Sequence, residues 1–89
     1  SGVSKFNFKA KTISVLFDTT KDGNMKKAIR RVKDEASAAV KDGYTVIILT
    51  TRGINKTKTA IPSLLITSAV HHHLIKEGIR TNCGLVIQT

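Results

Sequence analysis

Three stretches of the chain are apolar without alternation, and two stretches between them are apolar at helical spacing. Residues 12–17 (Thr-Ile-Ser-Val-Leu-Phe) are short, β-branched and apolar, and run into Asp18-Thr19-Thr20-Lys21-Asp22-Gly23. A run of that kind closed by turn formers predicts a strand buried on both faces, then a loop. From Asn24 the period changes: Met25, Ala28, Ile29, Val32, Ala36, Ala39 and Val40 recur three and four residues apart, one stripe of a helix. Asn24 or Asp22 is suited to cap its start and Gly43 to stop it in the left-handed conformation. Residues 45–49 (Thr-Val-Ile-Ile-Leu) predict a second buried strand, followed by a polar loop over 50–60.

Pro62 suits the first turn of a second helix, where a missing N–H costs nothing. Leu64, Leu65, Ala69 and Ile75 mark one face of it, and Gly78 is its stop. Residues 83–88 (Cys-Gly-Leu-Val-Ile-Gln) predict a third strand. Strand–helix–strand–helix–strand with non-alternating strands implies βαβαβ units, a parallel sheet with helices packed on it. Thr12 and Thr45, at the two strand starts, are 33 residues apart, the length of one βα unit, and no closer internal repeat is present.

This pattern predicts part of a larger fold. Three parallel strands leave open edges, and parallel sheets are seldom so small. The second helix is apolar beyond one stripe, because Ile66, Val70 and Leu74 lie roughly opposite Leu64 and Ile75 on the helical wheel. One flank can rest on this sheet, and the other calls for a neighbour outside these residues. The expected division is a tail or linker over 1–11 and a partial domain over 12–89. The Ser1-Gly2 start reads as a processed or engineered end.

Composition sets the outer bounds. At 89 residues and 9.7 kDa the chain holds one domain at most, burying about two-thirds of the surface its unfolded form exposes. No apolar run approaches the roughly 20 residues of a membrane span, so a soluble, intracellular protein is expected. A single cysteine, Cys83, excludes an intrachain disulfide scaffold and a multi-cysteine zinc site. Lys and Arg outnumber Asp and Glu 15 to 6, a net charge of +9. Lys26, Lys27, Arg30, Arg31, Lys33 and Lys41 fall opposite the first helix's apolar stripe, as on a solvated face, although such a stripe can also lie along phosphates. Of the four aromatic residues, Phe6 and Phe8 alternate with Lys5 and Lys9. A small basic α/β module binding nucleic acid or another polyanion is therefore the alternative function.

Candidate chemistry is sparse. His71, His72 and His73 fan over about 200° of a helix and cannot converge on one metal; His72, mid-stripe beside Leu65, Ala69 and Ile75, is expected to be a hydrogen-bonded core residue. Asp18 ends the first strand, where open α/β sheets place ligands. Haloacid-dehalogenase-type phosphatases carry a nucleophilic aspartate there and a second two residues on, but Thr20 occupies that place, so Asp18 reads as a turn residue. One glycine, Gly23, in the first loop and Thr50-Thr51 after the second strand do not make a dinucleotide site. Cys83, in an apolar strand, reads as an inert core thiol.

The second helix also carries a recognisable run. Ala60-Ile61-Pro62-Ser63-Leu64-Leu65, then Ser68-Ala69-Val70-His71-His72-His73-Leu74-Ile75 and Gly78-Ile79-Arg80, closely resembles the central domain of the glutamate synthase large chain. Val46-Ile47-Ile48-Leu49 with Arg52-Gly53, and Leu85-Val86-Ile87, are similar to that family's flanking strands. The likeness is strong over 43–89 and one of pattern over 12–42. Thr51 stands where the family usually has aspartate and Gln88 where it usually has glutamate, so no polar contact depending on those carboxylates is carried over.

The resemblance implies a segment of a larger, barrel-like α/β domain in a cytoplasmic oxidoreductase, or a plastid one if plant-type. The family forms two glutamates from glutamine and 2-oxoglutarate, in glutamate biosynthesis and ammonia assimilation. It implies FMN, a 3Fe–4S cluster and NAD(P)H or ferredoxin in the parent enzyme, and no catalytic, cofactor-binding or metal-binding residue here. Cys83 is not the family nucleophile, which stands at the mature start of the amidotransferase domain. The implied partners are the amidotransferase and flavin-binding domains of the same polypeptide, with room for a small reductase subunit, and neither a membrane nor nucleic acid. The central domain would join the other two and help enclose the route of ammonia between them.

Overall fold

The computed structural model describes residues 9–79 and 83–89. Its elements run β1 (Ala10–Ser14), β2 (Leu16–Asp18), α1 (Asn24–Lys41), β3 (Val46–Thr50), β4 (Lys58–Ala60), α2 (Ser63–Lys76) and β5 (Gly84–Gln88). β1, β3 and β5 form a parallel sheet in that order, with β3 in the middle, the α/β arrangement expected. The register sets Ile13, Leu49 and Ile87 in one row and Lys11, Ile47 and Leu85 in another. These rows face the helices: Ile13, Ile47 and Leu49 are buried with Ala28, Val32, Ala36 and Ala39 of α1 and Ile66 and Val70 of α2.

The first expected strand is two. β1 begins at Ala10, two residues early, and its positions are exposed except Ile13, so it is an edge strand and not one buried on both faces. At Val15 the backbone changes partner, donating to Thr50 O (3.0 Å) and accepting from Ile61 N (2.9 Å). β2 then pairs antiparallel with β4, a strand inside the loop expected over 50–60. Arg31 bridges the break, its Nη2 donating to Ser14 O at 2.8 Å and Leu16 O at 3.4 Å. Asn55 Oδ1 prepares β4 by accepting from the backbone N–H groups of Thr57 and Lys58, both at 2.9 Å. The turn also needs Gly53, whose φ is +102°; a Cβ there would come 3.3 Å from Leu16 Cδ1.

Both helices end alike. The N–H of Tyr44 reaches back to Ala39 O and that of Ile79 to Leu74 O, each 3.0 Å, with Gly43 and Gly78 at positive φ between. This closing motif satisfies carbonyls the last turn leaves open. The starts differ from expectation. Gly23 precedes α1 with no side-chain cap, and Asn24 instead donates from Nδ2 to Asp18 O (3.0 Å). Pro62 stands just before α2 and not inside its first turn.

The stripe of α1 is as expected except that Met25 is exposed and Ser37 is buried. The faces of α2 are reversed. Ile66 and Val70 are buried with Leu74 against them, whereas Leu64 is 87% exposed and Leu65 and Ile75 also face outward. We predict opposite responses from the two flanks in urea unfolding. Ile66→Val lowers stability by about 0.5–1.5 kcal/mol, whereas Leu64→Ala stays within about 0.5 kcal/mol of the parent chain.

Candidate functional site

The histidine triplet divides. His71 and His72 are exposed, and His73 turns inward. The expectation for His72 is therefore corrected: the core row of α2 runs Ile66, Val70, Leu74, and the histidine beside it is His73, one residue or about 100° away. His73 Nε2 is buried without a hydrogen-bond partner among the described residues, 3.7 Å from Glu77 Oε2. The other oxygen of Glu77 accepts from Ser37 Oγ (2.6 Å) and Lys41 Nζ (3.2 Å) of α1. Lys41, His73, Lys76 and Glu77 border an open hollow of about 450 Å³ where the two helices end.

Sequence reasoning passed over this corner. The available signal was a polar residue, Ser37, at a position of α1 that helical spacing sets beside the buried Ala36. Chemically the corner is a clamp. Glu77 ties α2 to α1, and the Ser37 hydroxyl first, then Lys41, hold its carboxyl below the usual value of 4.5. Lys41 already occupies the carboxylate, so His73 and Glu77 do not form an open cation site; no group of three or more metal-ligating side chains converges among the described residues.

The other candidates lie at strand ends, Asp18 at the end of β2 in the antiparallel pair and not, as expected, at the end of a parallel strand. Asp18 Oδ1 accepts from the backbone N–H (2.7 Å) and hydroxyl (2.5 Å) of Thr20. These two bonds, hydroxyl first, keep its carboxyl below the ordinary range, with Lys58 adding to the pull. That is the turn role expected for Asp18, with Thr20 its partner and not a second acid. Thr51 and Gln88, beside the ends of β3 and β5, prove to be neighbours. Thr51 donates to Gln88 O from its backbone (3.0 Å) and its hydroxyl (3.4 Å).

Cys83 is half-buried ahead of β5, its Sγ 3.6 Å from Gly84 O. Burial pushes its thiol up, away from the thiolate that catalysis or metal binding uses. The lone cysteine does not fit a cluster ligand set, which takes several thiolates. On α1, Arg31 is committed to Glu35 (2.7 Å) and to the β1–β2 break. Among the described residues no helix is long and apolar enough to cross a membrane.

The lowered carboxyl of Glu77 sets a pH dependence. Its charge stabilises the fold above pH 4.5, where the unfolded chain is also ionised, and this contribution is lost as pH falls through the lower folded value. Urea midpoints of the chain should fall on acidification below pH 4.5, and fall less in Glu77→Gln. Equal slopes would show that the clamp contributes nothing.

Comparison with known proteins gives these features a setting. The family described as glutamate synthase central domain matches residues 2–89. The chain is 41% identical over 85 residues to the chloroplastic ferredoxin-dependent glutamate synthase of Oryza sativa subsp. japonica, covering 91% of this chain and 5% of that protein. It is 40% identical over 65 residues to the glutamate synthase [NADPH] large chain of Azospirillum brasilense, covering 73% and 4%. With the Bacillus subtilis (strain 168) large chain the figures are 30% over 83 residues, covering 93% and 5%. The chain thus spans about 5% of the length of these relatives. With a family match that runs nearly the whole length of the sequence and relatives of 30–41% identity, the chain belongs to the glutamate synthase central domain family.

Proposed function

We propose that this segment belongs to the linking domain of an enzyme that makes two glutamates from glutamine, 2-oxoglutarate and a reductant, and that it supports ammonia passage without catalysing a step. The observation that carries this reading is the outer flank of α2. Leu64, Leu65 and Ile75 face outward, although the same helix fills the core with Ile66 and Val70. A route for ammonia needs a wall that excludes water, and Leu64, Leu65 and Ile75 supply an aliphatic part of one beside the exposed His71 and His72.

The amidotransferase and flavin domains of the polypeptide are the expected neighbours of that flank, with a small reductase subunit in members that use one. FMN and a 3Fe–4S cluster would be held by those other parts; a lone cysteine in this segment does not supply a cluster's thiolates. Relatives named as ferredoxin-dependent and as NADPH enzymes are similar to this chain, so either donor is compatible. The plant relatives named chloroplastic suggest a plastid for a plant-type parent, and the cytoplasm otherwise.

The test is coupling. In the native polypeptide, Leu64→Gln with Ile75→Gln should raise the glutamine hydrolysed per 2-oxoglutarate consumed, while synthesis from added ammonia persists. An unchanged ratio in a variant that still uses added ammonia would remove α2 from the route.

A further inference from the structure

Both helices lie on one side of the parallel sheet, so among the described residues no helix covers its other side. There the register sets Thr12, Ile48 and Val86 in one row and Ser14, Thr50 and Gln88 in the next toward the strand ends. Val46 and its partners Ala10 and Gly84 make the remaining row. No position on this face carries a charge, in a chain with a net charge of +9. The solvated side of α1 shows what these residues look like where water is the neighbour: Lys26, Arg30 and Asp34 are all exposed there. Val86 is 49% exposed and, like Val46 and Ile48, stands outside the core.

We infer that a segment of the same polypeptide, outside these 89 residues, covers this second face of the sheet with aliphatic side chains over the Thr12–Ile48–Val86 row. Three observations select that occupant. Parallel sheets are stable when both faces are covered, and among the described residues helices cover only one. The relatives are some twenty times longer than the matched stretch, which is about 5% of them, so a covering segment is available in the same chain, without the entropy of association. A second copy would bring another +9 against the first. The inference rests on family membership and does not require ammonia to pass at this face.

The experiment places a cysteine at Val86 (Val86→Cys), and separately at Thr12 (Thr12→Cys), in the native polypeptide. Maleimide labelling at each is followed by peptide-resolved mass spectrometry, native and in denaturant. Covered sites should label at least about tenfold more slowly in the native protein, at every protein concentration. Native labelling of either variant at the denatured rate would overturn the inference. So would protection that disappears on dilution, the mark of a second copy. Glutamine coupling does not enter this readout, so this inference and the channel-wall reading can fail separately.

Discussion

A parallel sheet has no hairpins of its own, and its strands stay together only while the connecting segments pack on it. Here that requirement falls on β3, hydrogen-bonded along both edges. Its Ile47 and Leu49 are completely buried, and its neighbour β1 contributes Ile13 to the same core. α1 closes this layer with alanines and a valine, small side chains that bring the helix close. α2 closes it with Ile66 and Val70. The remaining features position these two helices on that strand: the Val15 exchange, the Arg31 bridge, the paired glycine stops, and Glu77 reaching from the end of α2 to Ser37.

The Glu77 clamp illustrates how a polar contact complements apolar packing. Apolar contact between α1 and α2 is non-directional and would tolerate sliding. A hydroxyl at 2.6 Å from a carboxylate oxygen fixes one register, and Lys41 on the same oxygen neutralises the charge where α2 meets α1. His73 packs beside it with Nε2 out of water, so the inward histidine completes the wall of the corner and the two outward histidines are left on the surface.

Most of the architecture was legible in the residues because its signals were strong and separate. The 3.6-residue stripe of α1 has a charged face opposite it, so only one orientation fits. The runs at 46–50 and 84–88 are too short for helices and too apolar for loops. The misses have physical reasons. α2 has two apolar flanks, so periodicity alone could not say which one meets the sheet; the reversal exchanged His72 for His73 and sent Leu64 outward. β2 and β4 are three residues each, below the length at which a pattern shows, and their pairing depends on Val15 leaving one sheet for another. Asn24 was read as a cap because its side chain accepts hydrogen bonds, yet here it donates back to Asp18. The Thr51–Gln88 contact joins residues 37 apart in sequence, and nothing local to either announces it.

The distribution of charge then separates surfaces that meet water from those that do not. Exposed positions of α1 and the 51–58 turn carry Lys26, Arg30, Arg52 and Lys56, a surface whose solvation is strongly favourable. Among the described residues the outer flank of α2 and much of the second face of the sheet are also open, and they bear almost none of that charge. A chain selected only to stay dissolved would have no reason to keep nearly all its cations off those two faces. The same pattern follows directly if those two faces are interior surfaces of a longer glutamate synthase chain: a charged side chain there would have to be desolvated against aliphatic neighbours, at a cost of several kcal/mol per unpaired ion, whereas leucine, isoleucine and valine lose nothing by being covered.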